Sequence, residues 1–330
     1  MMGAEAYDKG TRARRGRRYA TLALLMLAVW LPGSCDLEDE RDNCCNNNKI
    51  VFRYTLDGVE CFDEYISTMQ YFLFDEDGAY LMELFPEGDD LTELCLCDGI
   101  PSGTYSLVAV GNLDDYATLE GHEDSGLHGF TLVADDWYDT DILGDGLTPL
   151  SNGDRLYWGQ CDFTLDHSKT QTFYTEMANI HCKLTVRVEW EGTPDYSDGY
   201  SFVLYDIGAY SEMSGDNATQ IGVQSFPLVP DYSACMVQEV ALSRAVLLEN
   251  LYTLRLTDDD IPVFQLMHYD EAVTMEIDLT DAFEEWDWTP SSEQVQEYEV
   301  SLKILTNGDV EATSGLNTNV NDWTDGGTVY

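Results

Sequence analysis

His122-Glu123-Asp124-Ser125-Gly126 sets a histidine beside two carboxylates, the raw material of a zinc peptidase. That chemistry needs a second histidine one helical turn further on, so that both imidazoles face the metal, and Gly126 stands in its place. Asp139-Thr140-Asp141 opens as a calcium loop does. Leu143, however, occupies the position of an oxygen ligand and Leu150 that of the closing glutamate. Asp258, Asp259 and Asp260 form an irregular acidic run that reads as a solvated face. No GxSxG elbow occurs, Gly144-Asp145-Gly146 does not continue into a phosphate loop, and His181, preceding Cys182 and an apolar strand, reads as structural. Carboxylates are so abundant, 62 in all, that no pair can be singled out for glycoside hydrolysis. The expectation is a protein that is not an enzyme, with no metal site and no cofactor.

Nine cysteines carry the remaining chemistry. Neither Cys44-Cys45 nor Cys95-x-Cys97 has the C-x₂₋₄-C spacing of a zinc site. Cys95 and Cys97 fall two apart on an expected strand, so they share a face and neither is placed to bond the other. Cys61 with Cys95 or with Cys97 is the expected disulfide, and spacing does not choose between them.

Cys35 is different, because an apolar run turns acidic there. Six basic residues between Lys9 and Arg18 precede the apolar stretch Ala20 to Leu31, which at 12 residues is too short to span a bilayer. Gly33 and Ser34 are small enough for a signal-peptidase subsite, and the segment resembles the lipobox of bacterial lipoproteins. That resemblance implies that residues 1–34 are a lipoprotein signal peptide and that Cys35 carries the lipid. The acidic cluster Asp36, Glu38, Asp39, Glu40 and Asp42 resembles the surface-export signal of Bacteroidetes lipoproteins and opens a polar tether over residues 35–48.

Removing residues 1–34 takes away six basic and two acidic residues and leaves a net charge of −50. Such a field repels phosphate backbones and anionic lipid, so nucleic acid is excluded and membrane contact must come from a covalent anchor. Hydrophobic residues make up 44% of the chain, enough to fill a core despite the charge.

Period-two alternation dominates what must position these residues. Ile50, Phe52, Tyr54 and Leu56 face one way and Val51, Arg53 and Thr55 the other. Met69 to Phe74 and Ala79 to Leu84 flank Asp75-Glu76-Asp77-Gly78 as a hairpin. Strands follow over Leu91 to Leu96 and Gly103 to Gly111, then a long, partly helical excursion from Leu113 to Leu150. A second series runs through LYWGQCDFTL, QTFYTEM and CKLTVRVEW to Tyr200–Tyr205, Val240–Leu247, Tyr252–Leu256, Val273–Leu279 and Tyr298–Leu305, the last turned by Asn307-Gly308. One short helix is expected at DAFEEWDW, capped by Thr280 or Asp281. Tyr157 and Trp158 read as core. The all-β pattern predicts two tandem β-sandwiches, residues 49–165 and 166–330.

The order of four segments is specific: the cysteine with its Cys/Asp/Asn-rich tether, IVFRYTL with YFLFDEDGAYL, GIPSGTYSLVAVGN, and LYWGQ followed by FYTEMANIHCKLTVRVE. A closing NVNDW makes a fifth. Together they resemble the fimbrillin-associated anchor-protein family of Bacteroidales fimbriae. The resemblance implies transthyretin-like sandwiches, lipidation at the outer membrane, and fimbrial stalk or accessory subunits as partners. It also implies that stalk subunits open a groove by cleavage after an arginine, whereas an anchor keeps its first strand. Arg41 lies in the tether and Arg53 in that strand. Leu316, Val320 and Trp323, in the last segment, are the candidate partner contacts. A surface glycan-binding or adhesin lipoprotein is the alternative, with Trp137, Tyr138, Trp286 and Trp288 as aromatic platforms, and a secreted hydrolase, for which the sequence offers no site, ranks behind it.

Overall fold

Ile50, Phe52 and Tyr54 lie within 1% of complete burial, so the alternation read from the first strand is real. The computed structural model describes residues 48–314 except 87–88, 97–98, 114–116, 135–148, 151 and 231. Cys35, Cys97, Trp137, Tyr138, Leu316, Val320 and Trp323 therefore lie outside the described residues.

Two pairs of sheets make up the molecule. In the first pair, the strand Asn48–Arg53 runs between Gln171–Glu176, to which it is parallel, and Glu93–Cys95, to which it is antiparallel. This three-stranded sheet faces a five-stranded antiparallel one, ordered Ala178–Asn179, Tyr157–Leu165, Gly103–Gly111, Met69–Asp75 and Tyr80–Leu84. Tyr71, Leu73, Leu107, Ala109, Tyr157 and Phe163 fill the space between them. Gly111 has its place because a Cβ there would lie 3.0 Å from Ile66 Cγ2 and 3.3 Å from Tyr157 Cβ. The next residue, Asn112, uses its side-chain oxygen to accept from the Ser67 and Thr68 amides and donates to the Tyr65 carbonyl at 2.7 Å.

The five-stranded sheet is also covered on its other face. Phe72, Phe74, Val108, Val110 and Trp158 pack there against Phe130 and Leu132, and against Met213, Phe226 and Leu254 from the second half of the chain. The cover is a small sheet in which Thr131–Ala134 pairs with Ala117–Glu120 on one side and with Tyr210–Glu212 on the other. The described part of the expected helical excursion is thus mainly strand, with only the four-residue helix His122–Ser125 and a single 3₁₀ turn.

In the second pair, Ala234–Val240, Tyr200–Ile207 and Val263–His268 form one sheet. Val246–Leu254, His181–Trp190, Gln296–Ile304 and Val310–Ser314 form the other. Leu184, Val186, Phe202, Leu204, Phe264 and Val300 meet between them.

Three expectations need correction. The break between residues 165 and 166 falls within the first sheet pair, because Gln171–Glu176 completes the sheet of the first strand 123 positions away (Asn48 with Gln171). The strand expected over Val240–Leu247 is a turn between two strands, with Arg244 and Ala245 both at positive φ. At the helix Thr280–Glu285 neither expected residue supplies the cap; the Asp278 carboxylate accepts from the Thr280 amide at 2.9 Å.

Candidate assembly surfaces and the junction of the halves

The first strand is held on both sides. Beyond its ladder, the Arg53 carbonyl accepts from the Met177 amide at 2.7 Å, and the Phe52 amide donates to Thr92 at 2.8 Å. The Arg53 side chain is exposed but lies over the Tyr174 ring, 4.5 Å from its centre. Past Thr92 the partner strand turns away, leaving an open cleft of about 420 Å³ lined by Val51, Arg53, Glu60, Cys61, Asp63 and Glu64.

Cys61 is a free thiol that donates to the Tyr54 carbonyl at 3.4 Å; of its two expected partners, Cys97 lies outside the described residues. Geometry explains why Cys95 cannot reach it. Cys95 pairs with Lys49, whereas Cys61 is bonded to Tyr54 at the far end of the same strand, about 16 Å away at the rise of an extended chain. A disulfide needs Cα atoms within about 7 Å.

Among the described residues, two further strands border their sheets with no neighbour on one side. Tyr80–Leu84 borders the five-stranded sheet, and its neighbourhood exposes Leu81, Met82 and, at 73%, Phe85. Val310–Ser314 borders the second pair, and the segment holding Leu316, Val320 and Trp323 follows it directly. The sequence signalled this last strand only through the Asn307-Gly308 turn, since VEATS has little apolar character.

Where the two halves meet, Arg255 is buried and faces carbonyls instead of carboxylates. Its guanidinium donates to Asn179 and Gln294 at 3.1 Å each and to Glu293, and lies 4.0 Å over the Phe226 ring. Burial lowers its pKa to about 10. His181 is buried beside it, with Nδ1 3.1 Å from the Leu156 carbonyl and Nε2 3.3 Å from the Asn179 amide nitrogen. Desolvation pushes its pKa down to about 4, so the ring is neutral and structural, as its sequence position suggested. Nothing in the sequence marked Arg255.

The acidic run reads as a solvated turn whose groups are taken up locally: Asp258 accepts from the Ser291 amide at 3.0 Å and Asp260 from the Thr257 hydroxyl. Trp286 and Trp288 are half-buried, Trp288 packing against Phe283 and Tyr298 at 4.9 and 4.8 Å, so they brace the core and do not form a platform. Among the described residues, His, Cys, Asp and Glu nowhere gather in a group that could hold a metal ion.

A similar fold occurs in solved structures of Bacteroides and Porphyromonas proteins. A candidate polysaccharide-binding protein of Bacteroides thetaiotaomicron matches with a TM-score of 0.58 at 14% identity, over 83% of this chain and 99% of its own. A candidate adhesin of Bacteroides ovatus matches with a TM-score of 0.58 at 12% identity, over 82% and 93%. The fimbrial anchor protein Mfa2 of Porphyromonas gingivalis matches with a TM-score of 0.55 at 12% identity, over 82% and 96%. No curated protein matches by sequence. The family model of the fimbrillin-A associated anchor proteins Mfa1 and Mfa2 matches residues 41–325, and the chain belongs to that family.

Proposed function

We propose that this protein is a non-enzymatic lipoprotein of the outer membrane, anchored through Cys35, that holds a fimbrium at the cell surface by strand-pairing contacts with stalk or accessory subunits. The carrying observation is the closed first strand: Asn48–Arg53 is laddered on both sides, with Ile50 and Phe52 buried in the core. A subunit that terminates a filament at the membrane keeps its own strand and offers its free edges, where unpaired N–H and C=O groups await an incoming strand. The segment with Leu316, Val320 and Trp323, following the edge strand Val310–Ser314, is assigned to the contact with the next subunit.

Cells carrying Cys35→Ala should still make fimbriae but shed them, and an arginine-specific protease should leave the bond after Arg53 intact in the folded protein. Firmly attached fimbriae of normal length on Cys35→Ala cells, or rapid cleavage after Arg53, would reject the anchoring role.

A further inference from the structure

At one end of the second sheet pair, rings are assembled at a cost in backbone conformation. Tyr196 lies flat on His268, with ring centres 3.5 Å apart and planes 6° apart. Tyr269 meets the same imidazole edge-on at 4.6 Å. Tyr196 is 43% exposed and Tyr269 62%. Behind them Tyr200, itself buried, donates its hydroxyl to the Tyr196 carbonyl and packs 5.4 Å from Trp190.

Tyr269 occupies the first position of a two-residue hairpin loop closed by the pair His268 and Glu271, and its φ is +50°. That position favours glycine, and a bulky residue seldom adopts such a conformation. Among the described residues it is the one aromatic residue at positive φ. Space was cleared for it as well: Gly199, at φ +77°, accepts from the Tyr269 amide at 2.8 Å, and a Cβ on it would lie 2.5 Å from the Tyr269 ring. A strained, exposed tyrosine fitted against a glycine and set beside a second exposed tyrosine adds little to a core. Retained strain of this kind collects where a ligand is held.

We infer that Tyr196, His268 and Tyr269 form a binding site for a neutral pyranose of a glycan. Flat exposed rings suit the apolar C–H face of a sugar ring, and a few carboxylates beside them suit its hydroxyls. Asp195, Asp198 and Asp270, all exposed, lie within two residues of Tyr196 or Tyr269 along the chain. Neither residues 191–200 nor residues 263–278 contain a lysine or arginine, so the two segments that carry the rings offer sialylated, uronic and sulfated sugars carboxylates and no counter-charge of their own. The site belongs to the second sheet pair and uses none of the strand edges assigned to fimbrial contacts, so it stands or falls separately from the anchoring role.

The full chain should be applied to a printed array of neutral mammalian and microbial glycans that also carries sialylated and sulfated ones, alongside Tyr196→Ala, Tyr269→Ala and Tyr269→Gly. Binding should be confined to neutral glycans and fall about threefold to tenfold in each variant, the loss of a ring contact. Tyr269→Gly, which relieves the strained position, should melt at or above the parent temperature, showing that lost binding is not lost folding. No binding to any neutral glycan, preference for the acidic ones, full binding by both alanine variants, or displacement by choline instead of free hexose would each overturn the assignment.

Discussion

Gly103–Gly111 and Gln296–Ile304 are both nine-residue strands with a neighbour on either side, yet they are buried in different ways. From Leu107 to Gly111 every residue of the first is buried, odd positions in one core and Val108 and Val110 in another. The second alternates: Tyr298, Val300 and Leu302 point inward while Glu297, Glu299 and Lys303 meet solvent. A strand thus reports in its own composition how many layers cover it. An unbroken run such as LVAV announces two covered faces, and EYEVSLKI announces one. The five-stranded sheet of the first half is clamped between its own three-stranded sheet and a cover borrowed partly from the second half, whereas the sheet that holds Gln296–Ile304 is packed on one face.

The comparison breaks most readily at the cover. Phe130 is fully buried and packs 4.9 Å from Phe72. Phe130→Ala should cost about 4 kcal/mol in urea denaturation, while Lys303→Ala, on the exposed face of Gln296–Ile304, should stay within about 0.5 kcal/mol. Equal losses would mean that the two strands differ in composition but not in environment.

Arg255 tests how the halves are joined. Arg255→Met should cost about 3 kcal/mol, because several buried carbonyls lose their donor, and should split unfolding into two steps when followed by probes in each half. Arg255→Lys should recover little, since one ammonium cannot reach carbonyls on Asn179, Glu293 and Gln294 together.

The smallest effect concerns acid. His181 has a folded pKa of about 4 against 6.5 unfolded, so the unfolded chain binds the proton first as pH falls. Its stabilising effect is complete above pH 6.5 and is lost between there and pH 4, amounting to about 2 kcal/mol by pH 5. In His181→Gln the stability measured at pH 7 and at pH 5 should differ by about 2 kcal/mol less than in the parent. An unchanged difference would place the acid sensitivity of the junction in other groups.

Most strands were legible because their turns are chemically marked: Gly78 and Asn307-Gly308 close hairpins where glycine or asparagine invites them. The turn through Arg244 and Ala245 carries no such residue, and two strands were accordingly merged across it. Val263–His268 is a strand that the sequence does not announce, since its short apolar run VFQLMH lacks period-two alternation. Parallel partners were beyond reach, since pairing of Asn48–Arg53 with Gln171–Glu176 depends on a crossover and not on a local turn. The buried rings Tyr157 and Trp158 were read correctly as core, at 2% and 1% exposure. The exposed ring cluster escaped because its residues come from two distant segments, and because a backbone angle, not a residue type, marks Tyr269.

The parallel pairing of the first strand also has a mechanical consequence. The chain enters this strand at Asn48, and the six ladder positions from Asn48–Gln171 to Arg53–Glu176 lie in line with it. A pull on the preceding segment, directed along the strand, loads those positions together in shear, so that they must yield at once and cannot be peeled open one by one. Drag on whatever the protein holds would then be resisted by the whole ladder, and the entry point would be among the last parts of the fold to give way.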